Sequence, residues 1–105
     1  MMAMNMESFN NEVLQGSGPV LVEFWAPWCV YCRRIAPAMK KLAEENGPVR
    51  IATVNIDEEP DLAKLERIEV IPTLVLYQDG VALDSIVAPE SKARIEAFIR
   101  DNLGE

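Results

Sequence analysis

Residues 25–32 read Trp25-Ala26-Pro27-Trp28-Cys29-Val30-Tyr31-Cys32 and hold both cysteines of the chain. Ahead of them runs Val20-Leu21-Val22-Glu23-Phe24-Trp25, β-branched, aromatic and almost wholly apolar, as suits a central strand covered on both faces. Behind them Cys32, Ile35, Met39, Leu42 and Ala43 recur at helical spacing, with Arg33, Arg34, Lys40, Lys41, Glu44 and Glu45 on the wet side. Pro37 falls inside that pattern and should kink the helix, and Asn46-Gly47-Pro48 should stop it. The cysteines therefore sit where a buried strand becomes a helix. A Cys-x-x-Cys at that junction points to dithiol–disulfide chemistry.

Outward from this centre the chain falls into short elements. Met1 to Glu7 is methionine-rich, carries no basic residue before an apolar run, and reads as a ragged first strand rather than a signal peptide or a membrane span. Ser8 to Gln15 has a helical pattern with Phe9, Val13 and Leu14 on one side and Ser8 as the expected N-cap. Gly16-Ser17-Gly18-Pro19 breaks it. Val49 to Ile56 is a further strand, parallel to the first run because a helical crossover separates them. Pro60 opens a short helix to about Arg67, with Asp57, Glu58 and Glu59 at its positive end and Leu62, Leu65 and Ile68 facing inward. Thr73 to Tyr77 and Val81 to Val87 flank Asp79-Gly80, a hairpin signal, and Ser91 caps a last helix striped by Ile95, Phe98, Ile99 and Leu103. The fold class is α/β: a mixed sheet, part parallel and part antiparallel hairpin, with helices on both faces.

The 105 residues allow one domain, spanning 1–105, and one catalytic unit. Seventeen acidic against ten basic residues give a net charge of −7, which repels a phosphate backbone and argues against nucleic acid as a partner. Two cysteines make a poor scaffold for a secreted disulfide-rich domain, so the expected location is the cytoplasm.

A helix beginning at Cys29 would place that sulfur against unsatisfied N–H groups and the positive end of the helix dipole, both of which favour thiolate. In such motifs a thiol of ordinary pKa ~8.5 falls to ~7. Cys29 is then the attacking thiolate, and Cys32, one turn on and less exposed, the resolving thiol. A structural zinc site needs four ligands, and two sulfurs without a histidine cannot close one within a single chain. Neither a metal shared between two chains nor an inert structural pair accounts for the motif as well as redox chemistry does. No cofactor is expected.

The Trp-Ala-Pro-Trp-Cys-x-x-Cys segment, with Ile71-Pro72-Thr73 further on, resembles the thioredoxin family, and the likeness covers almost the whole chain. It implies the thioredoxin fold, disulfide-containing client proteins, a thioredoxin reductase as electron donor, no membrane, and a monomer. It also implies a cis peptide before Pro72 and a rim formed by Val70, Ile71, Pro72 and Ala88, where a client segment lies as an added strand. Trp25, Pro27, Trp28, Val30 and Tyr31 surround the sulfurs, Trp25 chiefly packing and Trp28 shielding them from water on one side. Glu23 is the one ionisable residue in its strand, at the position where thioredoxins hold a proton-relaying aspartate beneath the second cysteine. It is the expected general base for Cys32, unless it lies at a strand edge and meets solvent.

The chain also departs from the family. Val30-Tyr31 replaces Gly-Pro between the cysteines, Thr53 stands where a lysine is common near the buried carboxylate, and Val70 and Ala88 replace smaller residues. The implied contact surface is larger and more apolar than usual. Without the lysine, Glu23 should stay protonated to higher pH. Two other readings are open to the same residues: a glutathione-linked, glutaredoxin-like enzyme, because Tyr31 precedes the second cysteine, and a non-catalytic module that docks clients through the Ile71-Pro72 loop. The Trp-Ala-Pro-Trp flank, and the lack of a Gly-Gly-Asp stretch after the Pro72 strand, weigh against the former.

Overall fold

A computed structural model describes residues 1–45 and 47–104. Its elements in chain order are β1 (Met2–Ala3), α1 (Met6–Phe9) continued by a π-helical turn (Asn10–Leu14), β2 (Pro19–Trp25), α2 (Val30–Glu44), β3 (Arg50–Asn55), α3 (Pro60–Leu65), β4 (Thr73–Gln78), β5 (Val81–Val87) and α4 (Lys92–Leu103). The five strands form one sheet in the order β1-β3-β2-β4-β5. The β1, β3 and β2 strands run parallel, β4 is antiparallel to β2, and β5 is antiparallel to β4. The apolar run before the cysteines is therefore the central strand, as its composition required.

Period-two alternation sends the side chains of β2 into two cores. Val20, Val22 and Phe24 meet Phe9, Val13, Leu62, Val75 and Tyr77 on one face. Leu21 meets Ile35, Met39, Leu74, Leu76, Ile95 and Phe98 on the other. The first face is covered by α1, its π turn and α3, the second by α2 and α4. Each buried large side chain contributes about 1.5–3 kcal/mol. Phe9 adds edge-on contacts to Phe24 and Tyr77, with ring centroids 6.5 and 5.5 Å away.

Two local expectations are revised. Asn5, not Ser8, caps α1: its Oδ1 accepts from the Ser8 N–H at 2.8 Å, and Ser8 Oγ accepts from the Asn5 N–H at 2.9 Å. Ser8 is the third residue of a capping box, a role its hydroxyl fills as readily as that of cap. Leu65 does not face inward but is 60 % exposed. Once Leu62 and Ala63 define the buried face of α3, Leu65 lies well off it around the helix. Arg67 then turns left-handed (φ 59°), with bonds from the Arg67 N–H to the Lys64 carbonyl and from the Ile68 N–H to the Ala63 carbonyl, which closes a Schellman motif. The helix stop expected at Asn46-Gly47-Pro48 begins on Asn46, outside the described residues. Pro37 lies within α2, where it cannot donate to the preceding turn.

The hairpin forms at Asp79-Gly80, both with positive φ (51° and 84°), as a two-residue type I′ connection needs. The register of β5 shifts between Leu76 and Tyr77 of β4, so Leu83 is an extra residue that bulges the edge strand. Ser91 caps α4 by accepting from the Arg94 N–H at 3.1 Å, and Gly104 ends it at φ 76°.

Candidate active site

Parallel neighbours end at the same edge of a sheet, and here the ends of β2 and β3 build the site together. After Trp25, Ala26-Pro27-Trp28-Cys29 makes a turn closed by the Cys29 N–H on the Ala26 carbonyl at 3.1 Å. Pro27 supplies the fixed φ that a turn of this kind favours. Cys29 is the N-cap of α2, its backbone extended (φ −84°, ψ 116°), and its sulfur accepts the Cys32 N–H at 3.2 Å. This puts a helix-start donor on one sulfur, the condition for a stabilised thiolate once the pair is reduced.

Cys29 and Cys32 are joined as a disulfide. They are 6 % and 2 % exposed, so the order of exposure is the expected one, but Cys29 is far less open than a helix-start cysteine suggested. Trp25, Ile56 and Ile71 pack around the pair and Ala26. Trp28 shields less than expected: it is 63 % exposed, and its indole N–H donates to the Asp57 carboxylate at 3.0 and 3.2 Å. Pro27, Val30, Tyr31 and Val70 are also exposed, so an apolar collar surrounds sulfurs that are themselves recessed. Ile56 and Asp57 were not singled out from sequence as site residues. The signal was available, since they follow a strand parallel to β2 and so arrive beside whatever follows Trp25.

The Ile71–Pro72 peptide is cis. The Ile71 carbonyl oxygen lies 3.8 Å from Cys29 Sγ, within reach of the thiol proton in the reduced form. Pro72 is buried and Ile71 half-buried. The loop is held on both sides: Thr73 Oγ1 donates to the Val70 carbonyl at 2.6 Å, and the Ala88 N–H donates to the Pro72 carbonyl at 2.9 Å. Ala88 adopts φ 44°, a left-handed conformation that glycine takes more readily. The structure thus brings Val70, Ile71, Pro72 and Ala88 together along one rim beside the sulfurs.

Glu23 is 5 % exposed in the middle of the sheet, paired with Thr53 on β3 and Leu74 on β4, so the alternative of an edge position is excluded. Alternation places it on the α2 side, between Leu21, which packs on Ile35 and Met39, and Trp25, which packs on the cysteines. It therefore lies under the first turns of α2. Burial alone raises its pKa from 4.5 to about 7, with no cation to oppose it. Thr53, opposite it, supplies no charge. The Tyr31 ring lies under the Arg34 guanidinium, 5.1 Å from the centroid. Away from the site, burial and the adjacent Glu66 carboxylate hold the Tyr77 phenol well above its ordinary pKa.

Among the described residues no group of three or more His, Cys, Asp or Glu is placed to hold a metal ion, and no helix is long and apolar enough to cross a membrane.

The family model described as thioredoxin matches residues 1–101. The chain is 42 % identical to thioredoxin 1 of Synechococcus elongatus over 89 residues, 84 % of this chain and 83 % of that protein. It is also 42 % identical to a thioredoxin of Acidithiobacillus ferridurans over 98 residues, 92 % and 91 % of the two chains. With thioredoxin 1 of a Nostoc species it shares 37 % identity over 97 residues, 91 % of each.

Proposed function

The chain belongs to the thioredoxin family and is a thiol–disulfide oxidoreductase, and from that premise we propose how its residues divide the work. Cys29, as thiolate, attacks one sulfur of a client disulfide. A Cys29–client bond forms, the client S–S bond breaks, and the freed client thiolate takes up a proton. Glu23 then removes the Cys32 proton, directly or through a water. Cys32 attacks Cys29 Sγ, the intramolecular disulfide forms, and the second client thiolate leaves and is protonated. The client gains two electrons and the pair loses two.

The observation that carries this is Cys29 at the N-cap of α2, with the Cys32 N–H on its sulfur and the Ile71 carbonyl facing it. Glu23 suits its role because a base titrating near 7 can both accept and return a proton at neutral pH. The Val70-Ile71-Pro72 rim and Ala88 receive an extended client segment, while Trp28, Val30 and Tyr31 give apolar contact area around the recessed sulfurs. This collar narrows the set of clients. The pair must be returned to its dithiol form, so the protein works in a reducing compartment, the cytoplasm, with a thioredoxin reductase as donor.

Insulin reduction with NADPH and thioredoxin reductase tests the reading. Turnover that is lost in Cys29→Ser supports it. Turnover only with glutathione would favour the glutaredoxin-like alternative, and none with any donor would favour a docking module.

A further inference from the structure

Arg34 is exposed on α2, three residues beyond Tyr31, with its guanidinium stacked over that ring. A guanidinium's fork of N–H donors takes a carboxylate two bonds at a time. In a chain of net charge −7, no carboxylate among the described residues lies within ion-pairing distance of Arg34. Tyr31, Arg34 and Ile35 form one wall of a cleft of about 330 Å³, and Ala88, Pro89 and Glu90 form the other. Both walls are tied to the chemistry: Tyr31 precedes Cys32, and the Ala88 N–H holds the Pro72 carbonyl at 2.9 Å.

The opposite flank of the sulfurs has the opposite sign. There Asp57 is bound to the Trp28 indole and is followed by Glu58 and Glu59. On the α2 flank Arg33 and Arg34 are both exposed and without an ion pair among the described residues. A client strand lying across Ile71-Pro72 therefore crosses a field that changes sign at its own cysteine.

Resting on the exchange reaction above, we infer that the Tyr31–Arg34 cleft is a specificity subsite for an acidic client side chain close to the reactive cysteine, on one side of it only. Glu90 also lines the cleft and works against a carboxylate there, so it weakens the preference that Arg34 sets. An exposed charge pair of this kind is worth about two- to fivefold in rate at low ionic strength.

The test uses end-capped peptides, each with one cysteine in a mixed disulfide with 2-mercaptoethanol. Glu or Gln is scanned through the positions flanking that cysteine, and reduction by the dithiol protein is followed in single turnover. The readout is the Glu/Gln rate ratio at each position. The expected ratio is about two- to fivefold above one on one flank and below one on the other, collapsing towards one in about 0.5 M salt. On the Arg34 flank, Arg34→Gln should bring the ratio down to about one, Arg34→Lys should retain part of it and Glu90→Gln should enlarge it, while the ratio on the Asp57 flank stays below one in all three. Equal ratios on both flanks, or a ratio above one on the Arg34 flank that survives Arg34→Gln, would overturn the inference while leaving the exchange reaction standing. If neither the peptides nor bis(2-hydroxyethyl) disulfide is reduced, the exchange reading falls and this inference falls with it.

Discussion

Replacing Glu23 by leucine should stabilise the oxidised protein at pH 8 and leave it little changed near pH 4. The carboxyl titrates at 4.5 when unfolded and at about 7 when folded. Below 4.5 it is neutral in both states, and its ionisation contributes nothing to folding. Between 4.5 and 7 the unfolded chain ionises first, so wild-type stability falls as pH rises, and above 7 the loss is complete. That gap amounts to about 3 kcal/mol, since each pH unit corresponds to about 1.36 kcal/mol. Leucine removes the titration, so the difference between variant and wild type should grow by about 2–3 kcal/mol from pH 4 to pH 8. Urea denaturation of both proteins across this range reads it as a midpoint gap widening by about 1 M, for a slope of about 2 kcal/mol/M. Using the disulfide form keeps thiol titration out of the result. Parallel pH profiles, or a leucine variant less stable at every pH, would refute the account of a buried, unpaired carboxyl. The same variant should slow release of a client from its mixed disulfide with Cys29, because Cys32 loses its base.

Three further outcomes follow from individual residues. Ala88→Gly should raise stability by about 0.5–1 kcal/mol in thermal or denaturant melts, since relief of the left-handed φ of 44° outweighs the added freedom of the unfolded chain. Thr53→Lys places a cation opposite Glu23; it should lower the Glu23 pKa and return about 1 kcal/mol of stability at pH 8, seen as a flatter pH profile. Equilibration with glutathione should show a pair less reducing than the roughly −270 mV of ordinary thioredoxin, because the Cys32 N–H on Cys29 Sγ favours the reduced thiolate and Val30-Tyr31 gives up the rigidity of Gly-Pro. A more negative value would contradict this.

Much of the site was legible because its determinants are local. Cys29 and Cys32 lie within one turn of each other, the strand before them is marked by composition, and the helix after them by periodicity. Glu23 stood out as one charge in an apolar run. The Asp79-Gly80 hairpin and the Ser91 cap were readable for the same reason, since each depends on a few adjacent residues. What sequence patterning missed depends on contacts between distant segments. The recess of Cys29 is made by Ile56 and Ile71, and the exposure of Trp28 goes with a bond to Asp57. The outward turn of Leu65 depends on which of two adjacent apolar residues, Leu62 and Ala63, centres the buried face of α3, and a period of 3.6 over six residues cannot decide that. The Asn5 cap was hidden because Ser8 is chemically suited to either place in a capping box.

The central claim is that Cys29, once reduced, is an ionised nucleophile at neutral pH despite its recess. Its alkylation by iodoacetamide, followed site by site by mass spectrometry from pH 5 to pH 10, tests this directly. Cys29 should label with a rate midpoint clearly below the ordinary thiol value of about 8.5, and faster at pH 7 than an unstructured cysteine peptide. Labelling no faster than that peptide, with a midpoint at the ordinary value, would contradict it.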